Sequence, residues 1–346
     1  FARGADSVVV DSVAVNDAVQ GITNWGGSNW EIANNVVTGT VAASGGGIAI
    51  FLGATPPSYR TCSGNYVHDN TIGSTATAPD YSCPGIVLAL DVRYGAYDSL
   101  DFTEELTGNL IENNDYAGTG GVNEVGIEIG VIGLEADPVK IAATLGMIHD
   151  NTVSGNTVDG ADLGMYFYTV TDLQVVANEV TNSATAGIAL YDGFSGGQFS
   201  GNNIYGNAYG FYNETGVMAD ASANWWGDAT GPSGAGPGTG DAVSENVDYS
   251  PWLGAAVGTS PMTWYTDDSI QDAIDAASDG DAINVQPGTY DETLNIEGRS
   301  SLTITGADKS TTILKSSTTQ AFNVGGYGSS RTCVVRVVNS TDINFS

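Results

Sequence analysis

GMYFYTVTDLQVVANEVTNSATAGIALYDGFSGGQFSGNNIYGNAYGFYNETGVMADASANWW, residues 164–226, writes one pattern three times. A glycine followed by a large apolar residue opens each copy, at Gly164-Met165, Gly187-Ile188 and Gly210-Phe211, so the step is 23 residues. An asparagine-centred turn accompanies each copy, at Asn178, Asn202 and Asn224. A period of about 20–50 residues marks a solenoid, because no single repeat can bury its own apolar face.

Toward the N-terminus the same marks recur at wider spacing. Gly47-Ile48, Gly85-Ile86, Gly126-Ile127 and Gly164-Met165 lie 38, 41 and 38 residues apart. Each is followed by a polar turn, at residues 64–67, 108–111 and 150–153. The excess over 23 residues is expected as insertions at 54–61, 92–106 and 133–144. Solenoids take insertions on one face, and that face is often the working one.

Toward the C-terminus a Trp-, Pro- and Gly-rich ending (224–253) comes before what reads as a beginning. Asp268-Ser269 is placed to cap a short helix whose Ile270, Ala273, Ile274 and Ala277 recur at i, i+3, i+4 and i+7. Ser278-Asp279-Gly280-Asp281 stops it, and strands are expected at 282–285, 293–296, 302–305 and 312–314. The chain thus divides into 1–257, the rungs and close of one solenoid, and 258–346, the capped start of a second. An ending placed before a beginning reads as a slice, or the repeating unit, of something longer. So does the start at Phe1, with neither methionine nor a signal-peptide pattern. Strand-like residues at 7–15 and at 333–345 have no evident cap. The end formed by 320–346 is therefore expected to stack on the end formed by 1–25, in another subunit or in a longer tandem chain. That contact would hide open strand edges and propagate as a filament or close as a ring.

Composition narrows the partners. The 47 glycines, with abundant Asn, Thr, Val and Ile, suit strands broken by tight turns. Forty acidic against nine basic residues give a net charge of −31, which repels nucleic acid and anionic lipid. No apolar run approaches the roughly 18 residues of a membrane-spanning helix, so no membrane insertion is expected in this segment. Cys62 and Cys83 flank the stretch 63–82 and are expected to form a disulfide, leaving Cys333 as a thiol or an intersubunit bridge. Sequons stand at Asn213, Asn339 and Asn344.

The helix segment Ser269-Ile270-Gln271-Asp272-Ala273-Ile274, with Gly280-Asp281 and Pro287-Gly288-Thr289-Tyr290, resembles the opening of right-handed parallel β-helix proteins of the pectin-lyase-like superfamily. Asn224-Trp225-Trp226-Gly227, Gly231-Pro232 and Tyr249-Ser250-Pro251-Trp252-Leu253 resemble the closing segment of its periplasmic and cell-surface members, many of them archaeal. The resemblance covers nearly the whole chain. It implies an all-β, right-handed parallel β-helix at an extracellular or cell-surface location. It does not select a function, because the fold hosts lyases, hydrolases, esterases, adhesins and scaffolds.

Chemistry of the family needs facing carboxylates on adjacent rungs, or a cation with a shifted pKa. The candidate trio is Asp91, Arg93 and Glu128, against its reading as an ion pair on a solvated face. His68-Asp69-Asn70 and His149-Asp150-Asn151 sit in near-identical settings. By rung count they are two rungs apart, roughly 10 Å, too far for one metal ion. They read as one turn used twice, and no metal site is assigned. Calcium is considered at Asp159, Asp162 or Asp281, without an EF-hand or nonapeptide pattern. Tyr166, Phe167, Tyr168, Tyr191, Phe211 and Tyr212 fall in successive rungs, as a sugar platform or as packing. The leading expectation is a structural subunit of an extracellular fibre, sheath or surface layer, self-assembling by end stacking. The alternative is a surface polysaccharide-binding or polysaccharide-cleaving protein, or an adhesin.

Overall fold

A computed structural model describes residues 2–39, 46–53, 61–73, 82–92, 104–134, 137–317 and 333–346. In the coil that opens the quoted repeat, Leu163–Thr171 lies in a first sheet (A), Gln174–Val176 in a second (B) and Glu179–Thr181 in a third (C). The chain then returns to sheet A at Ala186–Ser195, one coil on. Pairing between coils is parallel in all three sheets. The chain is an all-β parallel β-helix.

Both spacings in the sequence are single coils. The residue after each marker glycine stacks on its counterpart: Ile48 on Ile86, Ile86 on Ile127, Ile127 on Met165, Met165 on Ile188 and Ile188 on Phe211. The glycines are required because the coils touch there. A Cβ on Gly126 would lie 2.5 Å from the carbonyl oxygen of Gly164, and one on Gly164 would lie 2.5 Å from that of Gly187. In sheets B and C the typical strand has three residues and buries the middle one, such as Val67, Ile111, Val153 and Val175 in B or Ile72, Val158 and Val180 in C.

Asparagines hold the B-to-C corner. The chain turns on a left-handed residue (Asp69, Asn113, Gly155 or Ala177) followed by Asn70, Asn114, Asn156 or Asn178. Asn, Asp and Gly tolerate positive φ best, which explains the turn composition. The asparagines stack as a ladder: Asn35, Asn70, Asn114, Asn156, Asn178, Asn202, Asn224. Each Nδ2 donates to the next Oδ1 at 2.8–3.0 Å. The same Oδ1 accepts the preceding asparagine's backbone N–H. A shorter ladder, Asn24, Asn65, Asn109 and Asn151, holds the A-to-B corner.

The longer coils carry their extra residues within sheet A, ahead of its short strands Thr61–Ser63, Glu105–Thr107 and Ile148–His149, which stack on one another in register. A helix, α1 (Pro138–Thr144), occupies part of the third insertion, capped by Asp137, whose side chain accepts from Val139 N and Lys140 N. Residues 54–60 and 93–103 of the first two insertions lie outside the described residues.

The expected Cys62–Cys83 disulfide is not formed; both side chains are buried thiols. The stretch between them is not one loop, since Tyr66–His68 and Thr71–Gly73 carry it through sheets B and C. Cys62 Sγ instead lies 3.1 Å from the Gly27 carbonyl oxygen and accepts from Asn65 Nδ2. Burial pushes its thiol up to about 12, well away from the reactive thiolate. Cys333 is an exposed thiol.

The second stack starts on the end of the first. Trp252–Leu253 pairs antiparallel with Thr263–Thr266, and Trp252 stacks on Tyr265 at 5.8 Å and 10°. Thr263–Thr266 then pairs in parallel with Ala282–Val285, which pairs with Thr303–Gly306. A helix, α2 (Ile270–Ala276), is capped by the Ser269 side chain and buries Ile270, Ala273 and Ile274 against this sheet's core. Gly288–Asp291 is a strand that the sequence reading passes over. No helix among the described residues is long and apolar enough to cross a membrane.

Candidate functional site

Strand alternation sorts the aromatic residues of coils 163–213 onto two faces. Phe167, Phe199 and Phe211 point inward and pack with Phe194, at centroid distances of 5.0–6.2 Å. Tyr166, Tyr168, Tyr191 and Tyr212 stand on the outer face of sheet A. They form a row that continues to Tyr209: Tyr168–Tyr166 at 4.8 Å, Tyr166–Tyr191 at 5.4 Å, Tyr191–Tyr212 at 5.7 Å and Tyr212–Tyr209 at 5.3 Å. Exposure rises along it, from 8% at Tyr168 to 41% at Tyr209.

At the buried end stands Glu128, paired in register with Tyr166 of the next coil. Tyr168 lies over Gly130, where a Cβ would come within 2.4 Å of the ring, and so brings its hydroxyl to Glu128. That hydroxyl donates to Glu128 Oε1 at 2.6 Å, while Oε2 is buried without a hydrogen-bond partner. A cleft of about 470 Å³ opens here, lined by Ser82, Glu128, Tyr166, Tyr168, Tyr191 and Asp192 among others. Burial drives the Glu128 carboxyl upward, opposed by the hydroxyls of Tyr168 and Ser82. Burial also raises Asp192, and it raises Tyr166 and Tyr168 together with the nearby Glu128 charge. The cleft therefore offers phenol hydroxyls that stay protonated, and a carboxyl biased toward its neutral, hydrogen-donating form.

This bias sets a pH dependence. A raised folded-state pKa means that Glu128 stabilises the fold fully below its unfolded value of 4.5, and that the contribution is lost as pH rises through the folded value. Glu128→Gln has no proton to lose. The wild type is expected to lose more stability than Glu128→Gln between about pH 5 and pH 8, measured as urea midpoints. Equal slopes in the two proteins would show that Glu128 ionises as an ordinary surface carboxylate.

The structure separates the members of the expected trio. Asp91 pairs with Ile132, four residues along the strand from Glu128, a separation of about 13 Å. Asp91 and Glu128 are 1% and 2% exposed, so neither stands on a solvated face. Arg93 lies outside the described residues. His68 and His149 occupy different sheets; each directs Nδ1 as donor to the carboxylate of the next aspartate, Asp69 or Asp150, at 2.8 Å. They use one turn at two different corners. Asp159, Asp162 and Asp281 are engaged by protein donors, namely Thr181 and Asn182, Thr185 and Asn123, and Met262, Trp264 and Ser278. Among the sequons, Asn213 is a poor acceptor for a glycan, because its Nδ2 is buried against the Val217 and Asn246 carbonyls. Asn339 and Asn344 are exposed.

A family model described as "Periplasmic copper-binding protein (NosD)" matches residues 141–224, the coils that carry the tyrosine row. Among solved structures the chain is similar to "PL6 family alginate lyase AlyGC", at 11% identity and a TM-score of 0.14, over 89% of this chain. The match spans 64% of that lyase's length. No curated protein sequence matches the chain. The residues present do not suit copper. Within 141–224 the soft donors are Met147, His149, Met165 and Met218, of which Met165 is in the core and Met218 is 61% exposed. Among the described residues no three His, Cys, Asp or Glu side chains converge as a metal requires.

Proposed function

We propose that the chain is an exported or cell-surface β-helix that binds a polysaccharide along the tyrosine row of sheet A. The observation that carries this reading is the junction of the row with Glu128, a buried carboxyl with one open oxygen beside a continuous aromatic track. Sugars recognise such surfaces through C–H faces on rings and hydroxyls on fixed polar groups. Glu128 supplies the hydrogen-bonding group at the buried end, and in a cleaving protein the same carboxyl would serve as the proton donor. Export is supported by the periplasmic description of the family model over 141–224 and by the −31 charge, which suits a hydrated surface. The test is a glycan array followed by calorimetry. Tyr166→Ala and Tyr191→Ala are expected to weaken binding of a hit glycan by about twofold to tenfold each, the size of losing one aromatic contact. Unchanged affinity in both would remove the row from recognition.

A second reading is a structural rod that grows by stacking coils, with the exposed apolar side chains of the first and last described strands as its contact surface. Val9–Asp11 and Ala14–Asn16 pair on one side only, and so do Val335–Val338 and Asn344–Phe345. Val9, Val337 and Phe345 are 63%, 46% and 49% exposed there. Residues 320–346 stacking on 1–25, with Cys333 available for a cross-link, would cover these edges. Light scattering that finds a monomer at millimolar concentration, with free amide exchange at both edges, would refute it.

A further inference from the structure

Carboxylates accompany the tyrosine row from coil to coil. Glu128 lies in Glu124–Ile132, Asp162 precedes Leu163–Thr171, Asp192 lies in Ala186–Ser195 and Glu214 follows Tyr209–Asn213. Coils succeed one another at about 4.8 Å, so the acidic groups recur along the row with the rings. Their charge reaches the phenols. After burial, Glu128, Asp192 and Glu214 push Tyr166 upward, and Glu214 and Asp162, behind Tyr212, do the same to Tyr191. No lysine or arginine is among these influences, and none of the described ones lines the cleft. The sheet bulges between Tyr168 and Val170, where Thr169 and Asp192 both take positive φ. A bulge re-aims side chains, and this one sets Asp192 on the wall of the cleft. Asp192 and Glu214 are exposed, and neither forms an ion pair among the described residues.

Each class of glycan meets this arrangement differently. A uronate polymer would bring carboxylates into a line of carboxylates and is repelled. A neutral glycan stacks on the rings and leaves the acidic groups uncompensated. A protonated amine is attracted both by the carboxylates and by the faces of the rings. Glu128 favours the same class. It stands on the outer face of sheet A, its Oε1 is taken by Tyr168, and its buried Oε2 has no partner. Burial disfavours its charged form, and a cation in the cleft restores that form across the gap, without needing contact. Because the acidic groups recur coil by coil, the matching ligand carries its positive charges on a repeating chain.

We propose that the row takes an amine-bearing polysaccharide of the glucosamine type, its sugar faces on Tyr166, Tyr191 and Tyr212 and its ammonium groups toward Asp192 and Glu214. This rests on the polysaccharide reading of the row and adds the charge of the ligand. The test is calorimetry of the full chain with hexamers of β-1,4-linked glucosamine, glucose and N-acetylglucosamine, and of galacturonate. At about pH 6 the glucosamine amines are protonated. In about 0.01 M salt the glucosamine hexamer is expected to bind about tenfold tighter than either neutral hexamer, and galacturonate not at all. Raising salt to about 0.15 M shortens the screening length from about 30 to about 8 Å and should remove most of that advantage. D192N and E214Q should each cut it about twofold to threefold, the size of one exposed ion pair. A chain of net charge −31 attracts any polycation, so D342N, at an exposed acid of the second stack, is the control and should leave the advantage intact. The proposal is overturned if D342N lowers the affinity as much as D192N does, or if neither D192N nor E214Q lowers it. It is equally overturned if a neutral or galacturonate hexamer binds as tightly as glucosamine. In that last case a loss of binding in Tyr166→Ala keeps the row as a glycan site, whereas no binding by any hexamer removes both readings.

Discussion

Asn114→Leu is expected to cost roughly 3–5 kcal/mol of folding stability, although the replacement has the same branching and the same number of heavy atoms. Asn114 sits mid-ladder. Its Oδ1 accepts from both the backbone N and the Nδ2 of Asn70. Its Nδ2 donates to Val67 O, Glu112 O and Asn156 Oδ1. Leucine removes all five bonds and strands the backbone N–H of Asn70 in a dry interior, together with acceptor capacity on the Val67 and Glu112 carbonyls, while Asn70 Nδ2 keeps the Ile32 and His68 carbonyls. Each stranded group costs about 1–3 kcal/mol, more than the gain from added apolar surface returns. Urea unfolding should report the loss as a lower midpoint with an unchanged slope. A loss under about 1 kcal/mol would mean that water enters the corner and that the ladder is decorative.

Gly164→Val should be at least as damaging, with an expected loss of roughly 3 kcal/mol or more and poor yield of folded chain. An added Cβ meets the Gly187 carbonyl oxygen at 2.5 Å, Val180 Cγ1 at 2.6 Å and Ser183 Oγ at 2.9 Å. Two of these can shift only by moving the coil, because one is backbone and one is a core side chain. Gly164→Ala tests the same clash with less bulk and should fall about midway. If Gly164→Ala is neutral by thermal unfolding, the coils can separate locally, and the glycine column reflects turn chemistry rather than contact.

Much of the fold is local and could be read along the chain. The Gly-apolar steps are legible because the glycine is demanded by the coil above, at every coil. The Asn turns are legible because a left-handed residue followed by a ladder asparagine recurs at each corner. The α2 helix is legible because Ser269 caps it and its apolar spacing matches one face. By contrast, α1 is short and rests on other parts of the chain, with Ile141 reaching Gly193. Asp137-Pro138, a cap followed by a proline suited to the first helical turn, was its one local signal.

The candidate site was only half legible. Glu128 and the tyrosines could be singled out as residues, but their partners could not. Asp91 and Glu128 share the outer face of sheet A, yet register sets them four residues apart along the strands. One-dimensional spacing cannot give that offset once insertions of unequal length intervene. The same ambiguity favours a Cys62–Cys83 disulfide in the sequence alone, because a stretch holding two short strands reads there as one loop.

By itself the sequence determined that the chain winds as stacked coils with glycine contacts and asparagine corners, since each of those demands is made by a residue on its nearest neighbours and repeats with the period. Only the tertiary structure decided which outward side chains meet. It joined Tyr168 to Glu128 and separated Phe167 from Tyr166 across one strand. Those outcomes depend on register between coils and on burial from several directions at once, and neither quantity is carried by any single stretch of chain.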